Sequence, residues 1–172
     1  MRRHLLNIKT VDQTQIAKLI QTANESERKR TNFNLHPELD DPINRFFNVM
    51  LSGTYVRPHR HSADNRWELF VIVHGEAVVV CFDDKGILIS RHILNPDTAN
   101  VAIEIPANTW HSIAIIQDNT VLYESKPGPY LAVNDKDFAH WAPKENENNT
   151  QQFINWFIYG QIGSSPPKLE LS

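Results

Sequence analysis

The sequence holds one cysteine in 172 residues, Cys81, so no internal disulfide can staple the fold. That thiol sits in the apolar run Ala77-Val78-Val79-Val80-Cys81-Phe82 and reads as a small core residue rather than a nucleophile. No apolar stretch approaches the roughly 18 residues a membrane helix needs, and the N-terminus lacks a signal-peptide hydrophobic region. The expected compartment is a reducing cytoplasm. Charge of one sign is also lacking: 17 Lys and Arg against 20 Asp and Glu leave a formal charge of −3. No field therefore draws the chain to nucleic acid or to an anionic membrane. The short basic run Arg28-Lys29-Arg30 follows Glu25 and Glu27 and reads as a solvated helix end.

What is present suffices for one domain with a real core, with 41% hydrophobic residues. Ile16, Leu19, Ile20 and Ala23 form one apolar stripe at helical spacing, and Asp12 with Gln15 resembles a capping box. Thr31–Pro42 reads as an extended arm. Eight short strands are then predicted: Arg45–Leu51, Thr54–His61, Glu68–Val73, Ala77–Phe82, Ile87–Leu94, Val101–Ile105, Trp110–Ile116 and Val121–Ser125. Turn chemistry such as Ser52-Gly53, His74-Gly75-Glu76 and Asp83-Asp84-Lys85-Gly86 separates them. Strands without intervening helices argue for a barrel or jelly-roll sandwich. Further on, Asn134–Trp141 is expected to be a short helix and Lys144–Gln152 a polar linker. The apolar stretch Phe153–Tyr159 is expected to pack back on the barrel or on a partner subunit. This divides the chain into an N-terminal helix and arm (1–43), a barrel (44–126) and a C-terminal extension (127–172).

Three of the eight histidines have the spacing of a metal site. His59 and His61 stand two apart, so on a strand both imidazoles face one side. Glu68 opens a strand that, paired antiparallel with the first, returns its carboxylate to the same end. His111 follows the turn Pro106-Ala107-Asn108 and supplies a third imidazole from the opposite sheet. Three imidazoles and a carboxylate suit one divalent ion among Fe, Mn, Ni, Zn and Co, with positions left open to water or substrate. Glu68 is either a direct ligand or an acceptor that orients an imidazole. Trp67 and Trp110 flank ligands and read as packing. His4, His36, His74, His92 and His140 have no such frame; His36 is expected on the surface of its loop, the alternative being that the arm folds over and brings it to the barrel mouth.

Gly53-x5-His59-x-His61-x6-Glu68-x6-Gly75 is similar to the first motif of the cupin superfamily, and Pro106-x-Asn108-x2-His111 to the second. Asn108 stands where the motif has glycine, a change that a left-handed turn tolerates. At finer grain, Arg30–His36, Tyr55–His61, Glu124–Tyr130 and Lys136–Pro143 resemble the WbuC-type cupin metalloproteins. The resemblance implies a mainly β fold, a cupin-type double-stranded β-helix or jelly-roll barrel, with a bound metal. It also implies association with surface-polysaccharide gene clusters, but no established reaction.

By strand parity Arg57 faces the same way as His59 and Tyr55, where a buried charge must meet a pair or an anionic ligand. Arg45, Tyr123, Lys126 and Tyr130 are further candidates for lining the same mouth. The expected function is a metal-dependent enzyme acting on a small polar or anionic molecule such as a sugar derivative. The alternative is a non-catalytic metal- or ligand-binding module. Expected partners are a small-molecule ligand and, from exposed strand edges and the apolar tail, a second copy in a homodimer.

Overall fold

A computed structural model describes residues 8–62, 65–129 and 137–169. Helix α1 (Gln13–Glu25) starts where Asp12 accepts a 2.8 Å hydrogen bond from the Gln15 amide. It buries Leu19 and Ala23 against Val49, Leu51 and Val121. An Asp12→Ala protein is expected to lose about 1 kcal/mol in chemical denaturation with an unchanged slope, the cost of one lost cap.

Among the described residues ten strands follow: β1 (Arg30–Asn34), β2 (Ile43–Met50), β3 (His59–Arg60), β4 (Glu68–His74), β5 (Ala77–Phe82), β6 (Leu88–Leu94), β7 (Ala102–Ile105), β8 (Trp110–Ile115), β9 (Thr120–Pro127) and β10 (Asp137–Phe138). They form two five-stranded antiparallel sheets, ordered β1-β2-β9-β4-β7 and β10-β3-β8-β5-β6. Helix α2 (Thr150–Tyr159) closes the chain. The result is a mainly β jelly roll.

Strand β5 explains the unbroken apolar run, because all six of its residues are buried. Ala77 and Val79 meet Phe70, Ile72, Ile113 and Leu122 between the sheets. Val78, Val80 and Phe82 meet Phe153, Ile154 and Phe157 of α2 on the outer side. Both faces are covered, so period-two alternation disappears. The C-terminal apolar stretch therefore packs on the barrel, and Gly163 and Ser164 bond to Leu88 behind it. Among the described residues no helix is long and apolar enough to cross a membrane.

Several expectations are corrected. The arm begins as a strand, β1, which pairs with β2 from Arg30↔Met50 to Asn34↔Phe46. The strand expected over Thr54–His61 is reduced to His59–Arg60, since Pro58 has no amide hydrogen for a ladder. Asp137 and Phe138 pair with Arg60 and His59 as a strand where a helix was expected, and 134–136 lie outside the described residues. Helix α2 begins at Thr150, inside the segment read as a linker.

Candidate metal centre

His59 and His111 are direct cross-strand partners on β3 and β8, which sets their imidazoles on one face with ring centroids 4.4 Å apart. His61 follows β3, and its carbonyl accepts a 2.8 Å bond from the Asn108 amide. Asn108 sits at φ 62°, the left-handed turn expected of an asparagine in a glycine position. Glu68 opens β4 in the other sheet. Its Oε2 lies 3.0 Å from His111 Nε2 and its Oε1 3.6 Å from His61 Nε2. All four residues are buried, and one ligand atom from each falls within 4.8 Å of the others. Opposed donors around a first-row ion stand about 4 Å apart, so this spread fits one ion.

The residues converge by a different route from the one the sequence suggested. His111 comes from the same sheet as His59, and β4 pairs with β9 and β7 instead of the first histidine strand. The sandwich thus delivers imidazoles from one wall and the carboxylate from the facing wall.

Backbone carbonyls set the ring tautomers. His59 Nδ1 lies 2.9 Å from the Arg57 carbonyl, and His111 Nδ1 lies 2.8 Å from the Thr109 carbonyl. A carbonyl only accepts, so each Nδ1 carries hydrogen and each Nε2 is aimed at the cluster, the second-layer arrangement expected of metal-binding histidines. Burial alone would raise the Glu68 carboxyl. The Lys126 ammonium beside it, the hydrogen bond from His111 and the neighbouring His61 imidazole outweigh burial and hold it well below the usual carboxylate range. Lys126 Nζ stands 3.5 Å from Glu68 Oε1 and 3.5 Å from Glu124 Oε1, and Asn48 donates to Glu124 at 2.5 Å.

The cluster opens on a cavity of about 480 Å³ between the sheets, lined also by His36, Asn44, Phe46, Arg57 and Phe138. Arg57 and Lys126 line it as expected. The shared parity of Arg57 with Tyr55 does not hold: Tyr55 packs outward against Phe157 and donates to the Pro143 carbonyl at 3.0 Å. The break around Pro58 lets Arg57 face the cavity anyway. Arg45 and Tyr123 face away from it. Arg45 pairs across the strands with Ser125 and binds Asp41 at 3.2 Å, while Tyr123 sets its ring edge-on to Phe47. Tyr130 lies outside the described residues. His36, expected on the surface, is buried with Nδ1 bonded to the Arg45 backbone. Glu124 and Asn44 were not singled out from the sequence. Strand parity with Lys126 would have found Glu124, and the pairing Asn44↔Lys126 would have found Asn44.

Residues 11–94, just under half of the chain, match a family model described as a domain of unknown function (DUF6016). No curated protein matches in sequence. Among solved structures, the capsular polysaccharide assembling protein CapF from Staphylococcus aureus is similar over 63% of this chain and 29% of its own, with 20% identity and a TM-score of 0.52. A cupin superfamily protein from Desulfitobacterium hafniense DCB-2 is similar over 57% of this chain and 76% of its own, with 18% identity and a TM-score of 0.44. A protein from Shewanella oneidensis covers 80% of this chain and 84% of its own, at 15% identity and a TM-score of 0.49. The likeness to CapF is one of fold, and the fold is the cupin jelly roll.

Proposed function

We propose that this cupin-fold chain is a metal-dependent enzyme acting on a small polar or anionic molecule, such as a sugar derivative in surface-polysaccharide biosynthesis. The observation that carries this is the buried set of three imidazoles and a carboxylate opening on a cavity large enough for a small ligand. A divalent ion held by His59, His61, Glu68 and His111 would supply Lewis-acid polarisation or activation of water or dioxygen. The surrounding residues bind and orient. Lys126, held between Glu68 and Glu124, places an ammonium beside the cluster for charge neutralisation or proton delivery at Nζ. The name of CapF and the resemblance to WbuC-type proteins support a polysaccharide setting.

Elemental analysis of untagged protein tests the metal. About one equivalent of iron, manganese, nickel, zinc or cobalt per chain is expected. Failure to take up any of the five, each offered in turn, would sink the reading.

Arg57 is the candidate anion anchor. Its Nη2 donates to the Ala139 carbonyl at 2.7 Å, and its guanidinium lies 5.4 Å from the Phe138 ring centre. Among the described residues no carboxylate pairs with it, and its buried Nε has no hydrogen-bond partner. A carboxylate or phosphate in the cavity would satisfy that nitrogen. Arg57→Ala is expected to weaken binding of a sugar acid about 10- to 100-fold by calorimetry, the worth of a charge-assisted hydrogen bond. Unchanged affinity for every anionic sugar tried would remove Arg57 from the site.

A further inference from the structure

Asn44 poses a problem that neither the metal cluster nor Arg57 answers. It is 2% exposed, yet among the described residues neither its Nδ2 nor its Oδ1 has a hydrogen-bond partner. A buried amide left this way is destabilising, and such groups are rare in native proteins. On its far side Gly128 closes the space: a Cβ there would fall 2.9 Å from Asn44 Nδ2 and 1.9 Å from the Asp41 carbonyl oxygen. On its near side Asn44 lines the cavity, directly across from Lys126.

Asn44 also has company. The register of β1 on β2 sets Arg30, Asn32 and Asn34 opposite Met50, Asn48 and Phe46 on one face. With His36, these residues all line the same cavity. The polar members recur every second position, so β1 and the residues just after it present a hydrogen-bonding face to the cavity. Phe46 stands between Asn44 and Asn48 on the neighbouring strand and adds one flat apolar surface.

We infer that this face is a recognition wall for a polyhydroxylated ring, with Asn44 as its specificity-determining anchor. An amide offers a donor and an acceptor side by side, and two neighbouring hydroxyls answer both. A carboxylate or phosphate only accepts and would leave Oδ1 unanswered, so Asn44 reads hydroxyls where Arg57 reads charge. Phe46 suits the C–H face of such a ring. The inference rests on the proposed enzyme reading, since it names the substrate class of the same cavity.

The test compares glucuronate, glucose and adipate as probes of the full-length protein by calorimetry or ligand-observed NMR. Glucuronate is expected to bind more tightly than adipate, which has two carboxylates and no hydroxyls. Asn44→Leu is expected to weaken glucuronate about tenfold and leave adipate unchanged, the worth of one hydrogen-bonding pair. Its thermal midpoint should stay level or rise, because an unsatisfied amide has been replaced by an apolar group of similar size. Asn44→Ala, as a second variant, is expected to give the same order of probes. Unchanged glucuronate binding in the variant, or a lowered midpoint marking a structural amide, overturns the inference. Equal binding of adipate and glucuronate overturns it too, while Arg57-dependent binding of both would leave the anion reading standing. No binding by any probe overturns the wall, and metal content then decides the metal reading separately.

Discussion

A His111→Ala protein is expected to lose more than about a hundredfold in metal affinity, since loss of even an outer-layer partner costs roughly 10- to 100-fold. The imidazole is fixed at both ends. Its Nδ1–H is spent on the Thr109 carbonyl, and its Nε2 lies 3.0 Å from Glu68. Cys81, its partner on β5, carries a thiol that burial pushes up. The readout is the thermal midpoint with and without added ion. At a hundred times the wild-type dissociation constant the wild type gains about 2.7 kcal/mol, and the variant gains at most about 0.4 kcal/mol. His74→Ala, on an exposed histidine at the end of β4, is the control and should keep the wild-type shift. The sign of the pH dependence follows from the same geometry. Without metal, a proton between His111 Nε2 and Glu68 makes the 3.0 Å contact, and the ion must displace it. Affinity should therefore rise with pH, while Glu68 is held below the usual carboxylate range. A variant that still shifts like the wild type would remove His111 from the ligand set.

Much of this centre was legible in the sequence, but unevenly. The pair His59 and His61, the carboxylate of Glu68 and the turn before His111 carry local spacing, and local spacing survives whatever the strands pair with. The pairing itself did not follow. Which sheet β4 joins depends on its contacts with β9, some 50 residues away, and no short-range pattern encodes that. Arg45 and Tyr123 were misplaced for one reason: parity within a strand fixes which residues share a face, but not which face is inside. The polar row Arg30, Asn32, Asn34, His36 hid β1, because a strand face made of polar residues lacks the apolar alternation that marks a core strand. His36 went astray with it. The helical stripe of α1, its Asp12 cap and the seven-residue apolar stretch of the tail were read well, since each concerns residues within two turns of one another.

Phe157→Ala is expected to destabilise the protein by about 3–5 kcal/mol, the usual loss for a fully buried aromatic ring and a large share of the 5–15 kcal/mol that holds a domain together. Phe157 is 1% exposed. Its ring stacks on Tyr55 with centroids 6.3 Å apart and touches Phe82 at 5.7 Å and Phe153 at 6.2 Å. These rings cover the outer face of the sheet whose inner face carries His59 and His111, so α2 is the second wall of β5 and not an appendage. Tyr159, on the same helix but 78% exposed, should tolerate alanine within about 0.5 kcal/mol. Urea denaturation of both variants makes the comparison, with the slope checked for two-state behaviour. A loss below about 1 kcal/mol for Phe157→Ala would mean that the helix is not docked as described. The consequence reaches the cluster as well. Tyr55 stands four residues before His59 and packs against Phe157, so a loosened α2 frees the segment that presents the first imidazole. Metal should then raise the midpoint of Phe157→Ala by less than that of the wild type, because part of the binding energy is spent on ordering that segment.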